Sequence, residues 1–319
     1  MPMVTDADIN ASRVPMVVTD QVVSTIRGFL DRLCYSEPMV SQEDRRHLEE
    51  TVRDDFGQYL HHHGALSSEW LDITVTPSVA IAQLCYTSHD LDVQLYIARL
   101  TSWVIYFDDM AQRMPSSLVA FQRNLIANDG DSDLMVAFRR LLLDAYRMWD
   151  PISANLIGSS CMEFITSCAI EGSKELGSMK IRRTAISWPD YLRSKTGVAS
   201  VYSLMIFSKH LHPQLSAYIQ VIGDANRFIE FTDDILSFYK ESLAGETNNY
   251  VSTRAFTRGK TTIQTHQELA EETISAHERI CATLEGPELE AWKTFVNGYL
   301  AFHVLQERYR LGEILSLGD

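Results

Sequence analysis

The sequence predicts an all-α fold, a single helical bundle, from three observations. Apolar residues recur every three or four positions along most of the chain, alternating strand patterns are short and scarce, and the nine prolines fall at helix starts or in loops. With 319 residues and 45% hydrophobic composition there is enough apolar material for one large core. The organisation expected is a flexible N-terminal segment, 1–20, followed by one domain of roughly ten helices over 21–319.

Taken in order, the N-terminal "MPMVTDADINASRVPMVV" has neither a basic start nor a sustained apolar run, so it predicts no secretory leader. His61, His62 and His63 in "HHHG" are consecutive, so their side chains do not converge on one metal, and they are read as a solvated helix end. Pro77 is expected just before a helical pattern, as are Pro151, Pro189 and Pro213. Val93, Ile97, Leu100, Val104 and Phe107 form an apolar stripe that stops directly before "DDMAQR". Residues 126–133, "IANDGDSD", predict a loop. Ile219, Ile222, Asn226, Ile229 and Asp233 form a second stripe that turns polar at its end. The following stretch, 244–262, is rich in turn residues and is expected to be a long loop serving as a lid. Trp292, Phe295, Tyr299, Phe302 and Leu305 mark a last long helix leading into "QERYRLGEIL".

Composition excludes several function classes. The net charge of −14 and a pI near 5.1 disfavour a nucleic-acid partner, which would be repelled. No stretch approaches the ~18 uninterrupted apolar residues of a transmembrane helix. The five cysteines, Cys34, Cys85, Cys161, Cys168 and Cys281, are odd in number and form no CxxC pair, which predicts buried thiols in a reducing, cytoplasmic setting. GxSxG, HExxH, Walker, GxGxxG and Glu-x-x-His patterns do not occur.

Two acidic constellations stand out. Asp108 and Asp109 close the first stripe, where the helix dipole disfavours negative charge, so a compensating cation is expected. In "TDDILSFYKE", Asp233, Ser237 and Glu241 stand at i, i+4 and i+8, within an arc of roughly 80° on one helix face. Apolar Ile229, Phe231, Ile235, Leu236 and Phe238 surround this ladder of oxygens. Hard oxygens suit Mg2+ rather than Zn2+, and Mg2+ shares its coordination with water and substrate phosphates. Arg193 and Lys195 in "YLRSKTG", Lys240, and Arg308 with Tyr309 in "ERYR" are candidate donors to a diphosphate.

An acidic "DD" motif, a (N/D)DxxSxxxE motif about 125 residues later and a C-terminal "RY" resemble the class I terpene synthases. "DDILSFYKE" followed by "ERYRL" is particularly similar to the fungal trichodiene synthase-like branch, and the likeness runs from roughly residue 20 onward. The resemblance implies a single α domain and an isoprenyl diphosphate substrate held with three Mg2+ ions. It makes Asp108 the bridge between two metals and Asp233, Ser237 and Glu241 the ligands of the third, with Asp233 where many relatives have Asn. The motif excludes Asp234 as a ligand, which helix geometry alone would not. It makes Arg193 the diphosphate-sensing arginine, Thr196 the linker and Gly197 the effector, and Lys240, Arg308 and Tyr309 further diphosphate donors. The usual third acid of the first motif is Gln112 here, so metal binding there rests mainly on Asp108.

The activity implied is a lyase reaction: ionisation of farnesyl diphosphate and conversion of the carbocation to a sesquiterpene hydrocarbon or alcohol. A cation needs a dry, aromatic cavity, and Tyr86, Trp103, Phe107, Phe207, Tyr299 and Phe302 are candidates for its wall, with ordinary core packing the alternative for about half of them. Geranyl diphosphate as substrate, an acyclic linalool- or nerolidol-type alcohol as product, and a non-catalytic isoprenoid-binding protein of the same fold are the alternatives. A chain-elongating prenyltransferase is disfavoured because 233–237 reads DDILS rather than a second DDxxD. A homodimer stays open.

Overall fold

Fifteen α-helices and three short 3-10 turns are found among the described residues, with no strand among them. The computed structural model describes residues 20–60, 68–113, 115–127 and 133–315. The expectations for segment 1–20, apart from Asp20, and for His61, His62 and His63 fall outside these residues. In chain order the helices are α1 (Asp20–Arg32), α2 (Gln42–Leu60), α3 (Ser68–Cys85), α4 (Leu91–Arg113) and α5 (Pro115–Ala127). Next come α6 (Asp133–Met148), α7 (Pro151–Glu171), α8 (Lys174–Gly177), α9 (Trp188–Thr196) and α10 (Ala199–Met205). The last are α11 (Ile222–Ala244), α12 (Tyr250–Arg258), α13 (Thr262–Thr283), α14 (Gly286–Leu305) and α15 (Gly312–Leu315).

The three sequence stripes become the inward faces of α4, α11 and α14, except that Leu305 is exposed at the end of α14 and Ile219 lies in a 3-10 turn just before α11. Ile97, Leu100, Phe107, Ile222, Ile229, Trp292, Phe295, Tyr299 and Phe302 are all buried. Local chemistry sets the ends. Asp150 accepts from the Ile152 amide with Pro151 behind it, a capping box of Thr261 and Gln264 opens α13, and Gly245 at φ +72° closes α11.

Three expectations are corrected. Pro77 lies inside α3 rather than ahead of it. Proline costs a backbone hydrogen bond in a helix, and burial of Val75, Val79 and Ala80 around it keeps the helix going. In 126–133, Ile126 and Ala127 complete α5 and Asp133 opens α6, while 128–132 lie outside the described residues. The segment 244–262 is not one long loop: Ala244 ends α11, Thr262 opens α13, and Tyr250–Arg258 form α12. Its turn residues are the helix's own caps: Asn249 accepts from the Ser252 amide, and Gly259 ends the helix at φ +67°. Tyr250, Val251, Arg254 and Ala255 are buried, pinning α12 against α9 and α13.

Two close approaches position the site. At Gly298 of α14 a Cβ would stand 1.8 Å from the Leu84 carbonyl oxygen, so only glycine lets α14 lie this close to α3. At Gly172, just after α7, a Cβ would be 2.3 Å from the Ala111 carbonyl oxygen, which sets the end of α7 against the end of α4. Between α9 and α10 the chain breaks at Gly197 and Val198. Val198 has φ 50°, a left-handed conformation that a β-branched residue adopts only under constraint.

Candidate active site

α11 delivers the oxygen ladder. Ser237 is 3% exposed and stands one turn before Glu241 on the same face. Burial and, after it, the Asp233 charge raise the Glu241 carboxyl above its ordinary range, with Ser237 and Lys240 opposing them.

The third member, Asp233, is engaged on both oxygens. Arg193 Nη2 lies 3.1 Å from Oδ2, while His303 Nε2 at 3.3 Å and the Tyr309 hydroxyl at 3.2 Å face Oδ1. The Asp233 side chain is still 36% exposed. Burial opposes its charge, yet the His303 hydrogen bond and the charges of Arg193, His303 and Arg308 hold its carboxyl well below the usual range. Arg193 itself donates through Nε to Asp234 Oδ2 at 2.8 Å and through Nη2 to the Glu230 carbonyl at 2.8 Å. Burial works against its charge, and Asp234, Asp233 and Glu230 more than offset this, so it stays a guanidinium.

At the first motif, burial and the neighbouring Asp109 raise the Asp108 carboxyl, and Arg308 opposes them. Arg308 lowers the Asp233 carboxyl as well, so its charge lies within electrostatic reach of both acidic motifs. Asp109 accepts from the Trp70 indole instead. Lys240 Nζ and the Arg308 guanidinium lie 5.3 and 5.2 Å from the Tyr309 ring centre. Gln112 is in α4, and its side chain lies outside the described residues.

The helix break sits beside Arg193. A Cβ on Gly197 would be 2.8 Å from Glu230 Cγ and 3.1 Å from the Arg193 carbonyl, so the Glu230 stem occupies the room an alanine would need. The Thr196 hydroxyl bonds back to the Leu192 carbonyl at 3.2 Å. Lys195 is turned away, paired with Glu163 at 2.7 Å.

Of the six aromatic candidates, Tyr299 and Phe302 pack on His303, and Phe302 also on Tyr309, the two residues that face Asp233 Oδ1. Tyr86 packs on His89 and Phe295. Trp103 and Phe107 pack with each other and with Phe138. Phe207 stacks on Tyr218 at 4.4 Å, among residues that touch no ladder member. A groove of about 1040 Å3 that Trp103 helps line runs past Phe56, Tyr96, Arg99 and Lys209, and it holds none of the ladder residues.

Sequence reasoning missed three members of the site. His303 lies on the Tyr299 stripe one turn further on, and its Nδ1 donates to the Tyr299 carbonyl at 2.7 Å. Glu230 is 7% exposed, and burial pushes its carboxyl up to about 7 against Arg193 and Arg227. Glu171, at the end of α7, feels both Asp108 and Arg193. Its only sequence signal is an acid directly before Gly172.

Carboxylate and hydroxyl oxygens on one helix face are the donor types Mg2+ prefers. Among the described residues no three acid, His or Cys side chains converge into a complete cage, so water or ligand oxygens would supply the remaining coordination.

The trichodiene synthase (TRI5) family model matches residues 17–318. The chain belongs to that family. Among curated relatives, terpene synthase BipA of Cochliobolus sativus is 30% identical over 311 residues, 96% of this chain and 94% of its own. Longiborneol synthase CLM1 of Gibberella zeae is 36% identical over 247 residues, 75% and 72% of the two chains. The solved linalool/nerolidol synthase from Streptomyces clavuligerus superposes with a TM-score of 0.63 at 12% identity, covering 83% of this chain and 98% of its own. At that identity it speaks for the fold. This terpene synthase-family chain thus shares the all-α class I fold, and no helix among its described residues is long and apolar enough to cross a membrane.

Proposed function

We propose that the protein ionises farnesyl diphosphate and converts the resulting carbocation to a sesquiterpene, releasing diphosphate. The observation that carries this is the convergence on Asp233. Arg193 and Tyr309 both bond to it, and the charge of Arg308 acts on it and on Asp108 together. A leaving diphosphate develops negative charge, and cations already held in place stabilise it without reorganisation. Arg193, Lys240, Arg308 and Tyr309 would hold the diphosphate. Asp108, Asp233, Ser237 and Glu241 would hold Mg2+, which when bound supplies Lewis-acid neutralisation of the leaving group.

Tyr299 and Phe302 then present ring faces to the cation, which stabilise positive charge without attacking it. Of the five cysteines expected to be buried, Cys85, Cys161 and Cys168 are, Cys281 is partly buried and Cys34 is exposed. A reducing, cytosolic site of action is the reading of their odd number and the lack of a CxxC pair. Incubation with Mg2+ and farnesyl diphosphate, followed by headspace analysis, tests the reading. A volatile C15 product supports it. A longer diphosphate, turnover of geranyl diphosphate alone, or no turnover would replace it with elongation, monoterpene synthesis or binding.

A further inference from the structure

Tyr202, on α10, is a residue that neither the motifs nor the aromatic candidates single out. It is partly exposed, although Val198, Ala199, Met205 and Ile206, its neighbours three and four residues away on the same helix face, are all buried. Its hydroxyl is 3.3 Å from Thr101 Oγ1 on α4, and its titration is influenced by Cys161 of α7 and Cys85 of α3. Thr101, Cys161 and Cys85 are themselves buried. The hydroxyl's bond to the buried Thr101 turns this partly exposed side chain inward, toward α4.

The hydrogen-bond direction there is fixed. Thr101 Oγ1 donates to the Ile97 carbonyl at 2.9 Å, so it accepts from the Tyr202 hydroxyl. The Tyr202 proton points into the wall, and the oxygen lone pairs remain for the interior. α10 cannot rotate to undo this. Ser203 and Ser200 bond the Asn226 side chain of α11 at 2.6 Å each, and the Tyr86 hydroxyl bonds the Tyr202 carbonyl at 2.8 Å. Burial raises the phenol and pushes the Cys161 thiol up to about 12, so the surrounding wall presents neutral groups and no thiolate that would trap a cation.

Thr101 stands seven residues before Asp108 on α4, roughly 10 Å down the helix axis at ~1.5 Å per residue. That is the depth reached by the distal isoprene units of a prenyl chain whose diphosphate sits at Asp108. We propose that Tyr202, oriented by Thr101, is a specificity-determining residue. Its oxygen dipole stabilises positive charge on the distal part of the substrate-derived cation and so selects the carbon skeleton formed. No proton passes through it, because the Ile97 carbonyl ends the chain of donors. This rests on the proposed terpene synthase reaction.

The test uses Tyr202→Phe, Thr101→Val and Thr101→Ser. With farnesyl diphosphate and Mg2+, the first two shift the product ratio in the same direction by roughly fivefold or more, while total diphosphate release falls less than about tenfold. Thr101→Ser, which keeps the acceptor, retains the wild-type ratio. A binding measurement independent of turnover uses a farnesyl-length diphosphate analogue with a protonated amine in its terminal isoprene unit, against its all-carbon counterpart. Wild type favours the cationic analogue, and Tyr202→Phe loses that preference by about fivefold. An unchanged product ratio with an unchanged preference in Tyr202→Phe overturns the assignment. Failure of the wild type to bind either analogue overturns the synthase reading beneath it.

Discussion

Arg193 Nη2 rests 3.1 Å from Asp233 Oδ2, so the arginine assigned to the diphosphate is bonded to the carboxylate assigned to the metal. His303 and Tyr309 take the other oxygen. A metal arriving alone must displace a guanidinium, whereas metal and diphosphate together give Arg193 a new anionic partner. Binding of the two should therefore be mutually reinforcing.

The first prediction concerns that exchange. Arg193→Ala binds Mg2+ alone at least as tightly as wild type and binds Mg2+ with inorganic diphosphate about tenfold or more weakly. Calorimetric titration in both ligand orders checks it. Equal losses in the two titrations would mean that Arg193 does not compete for Asp233.

The ladder gives the second prediction. Glu241→Ala and Ser237→Ala lower turnover by roughly a hundredfold or more, with melting temperatures close to wild type, because their oxygens serve the charge developed during ionisation. Asp108→Asn is as severe and Gln112→Ala mild. Steady-state diphosphate release reads all four, and a severe Gln112→Ala beside a mild Asp108→Asn would reverse the assignment of the first motif.

Glu230 supplies a pH prediction. Its folded value of about 7 lies above the ordinary 4.5. Between those values the folded state keeps a proton that the unfolded state has lost, so this group's contribution falls as pH rises through that window and is constant above it. Glu230→Gln removes the dependence. Denaturation midpoints from about pH 5 to about pH 8 should show the variant gaining on wild type as pH rises. Parallel curves would show that Glu230 titrates normally.

Gly298 supplies a stability prediction. Its missing Cβ would lie 1.8 Å from the Leu84 carbonyl oxygen, and backbone cannot yield as a side-chain tip would. Gly298→Ala is expected to cost roughly 3 kcal/mol or more. The urea midpoint measures it, and a loss below about 1 kcal/mol would mean that α14 slides freely.

Periodicity made the bundle legible, since Val93 to Phe107 and Trp292 to Phe302 declare their buried faces. The ladder was equally legible because Asp233, Ser237 and Glu241 share one helix face. What joins the ladder to other helices was not. Arg193 meets Asp234 across 41 residues and His303 meets Asp233 across 70, and no local pattern specifies contacts of that range. The α12 segment was misread for a different reason. Asn249 and Gly259 are turn formers and helix caps alike, and the short buried face of Tyr250, Val251 and Arg254 between them carries too few turns to announce a period. Pro77 was misplaced because a propensity rule was applied where tertiary burial decides.

The most direct test is diffraction from crystals grown with Mn2+ in place of Mg2+ and with inorganic diphosphate. Anomalous peaks should lie at Asp108 and among Asp233, Ser237 and Glu241, with Arg193 moved from Asp233 onto the diphosphate. Diphosphate bound with no peak at the ladder and Arg193 still on Asp233 would contradict the account.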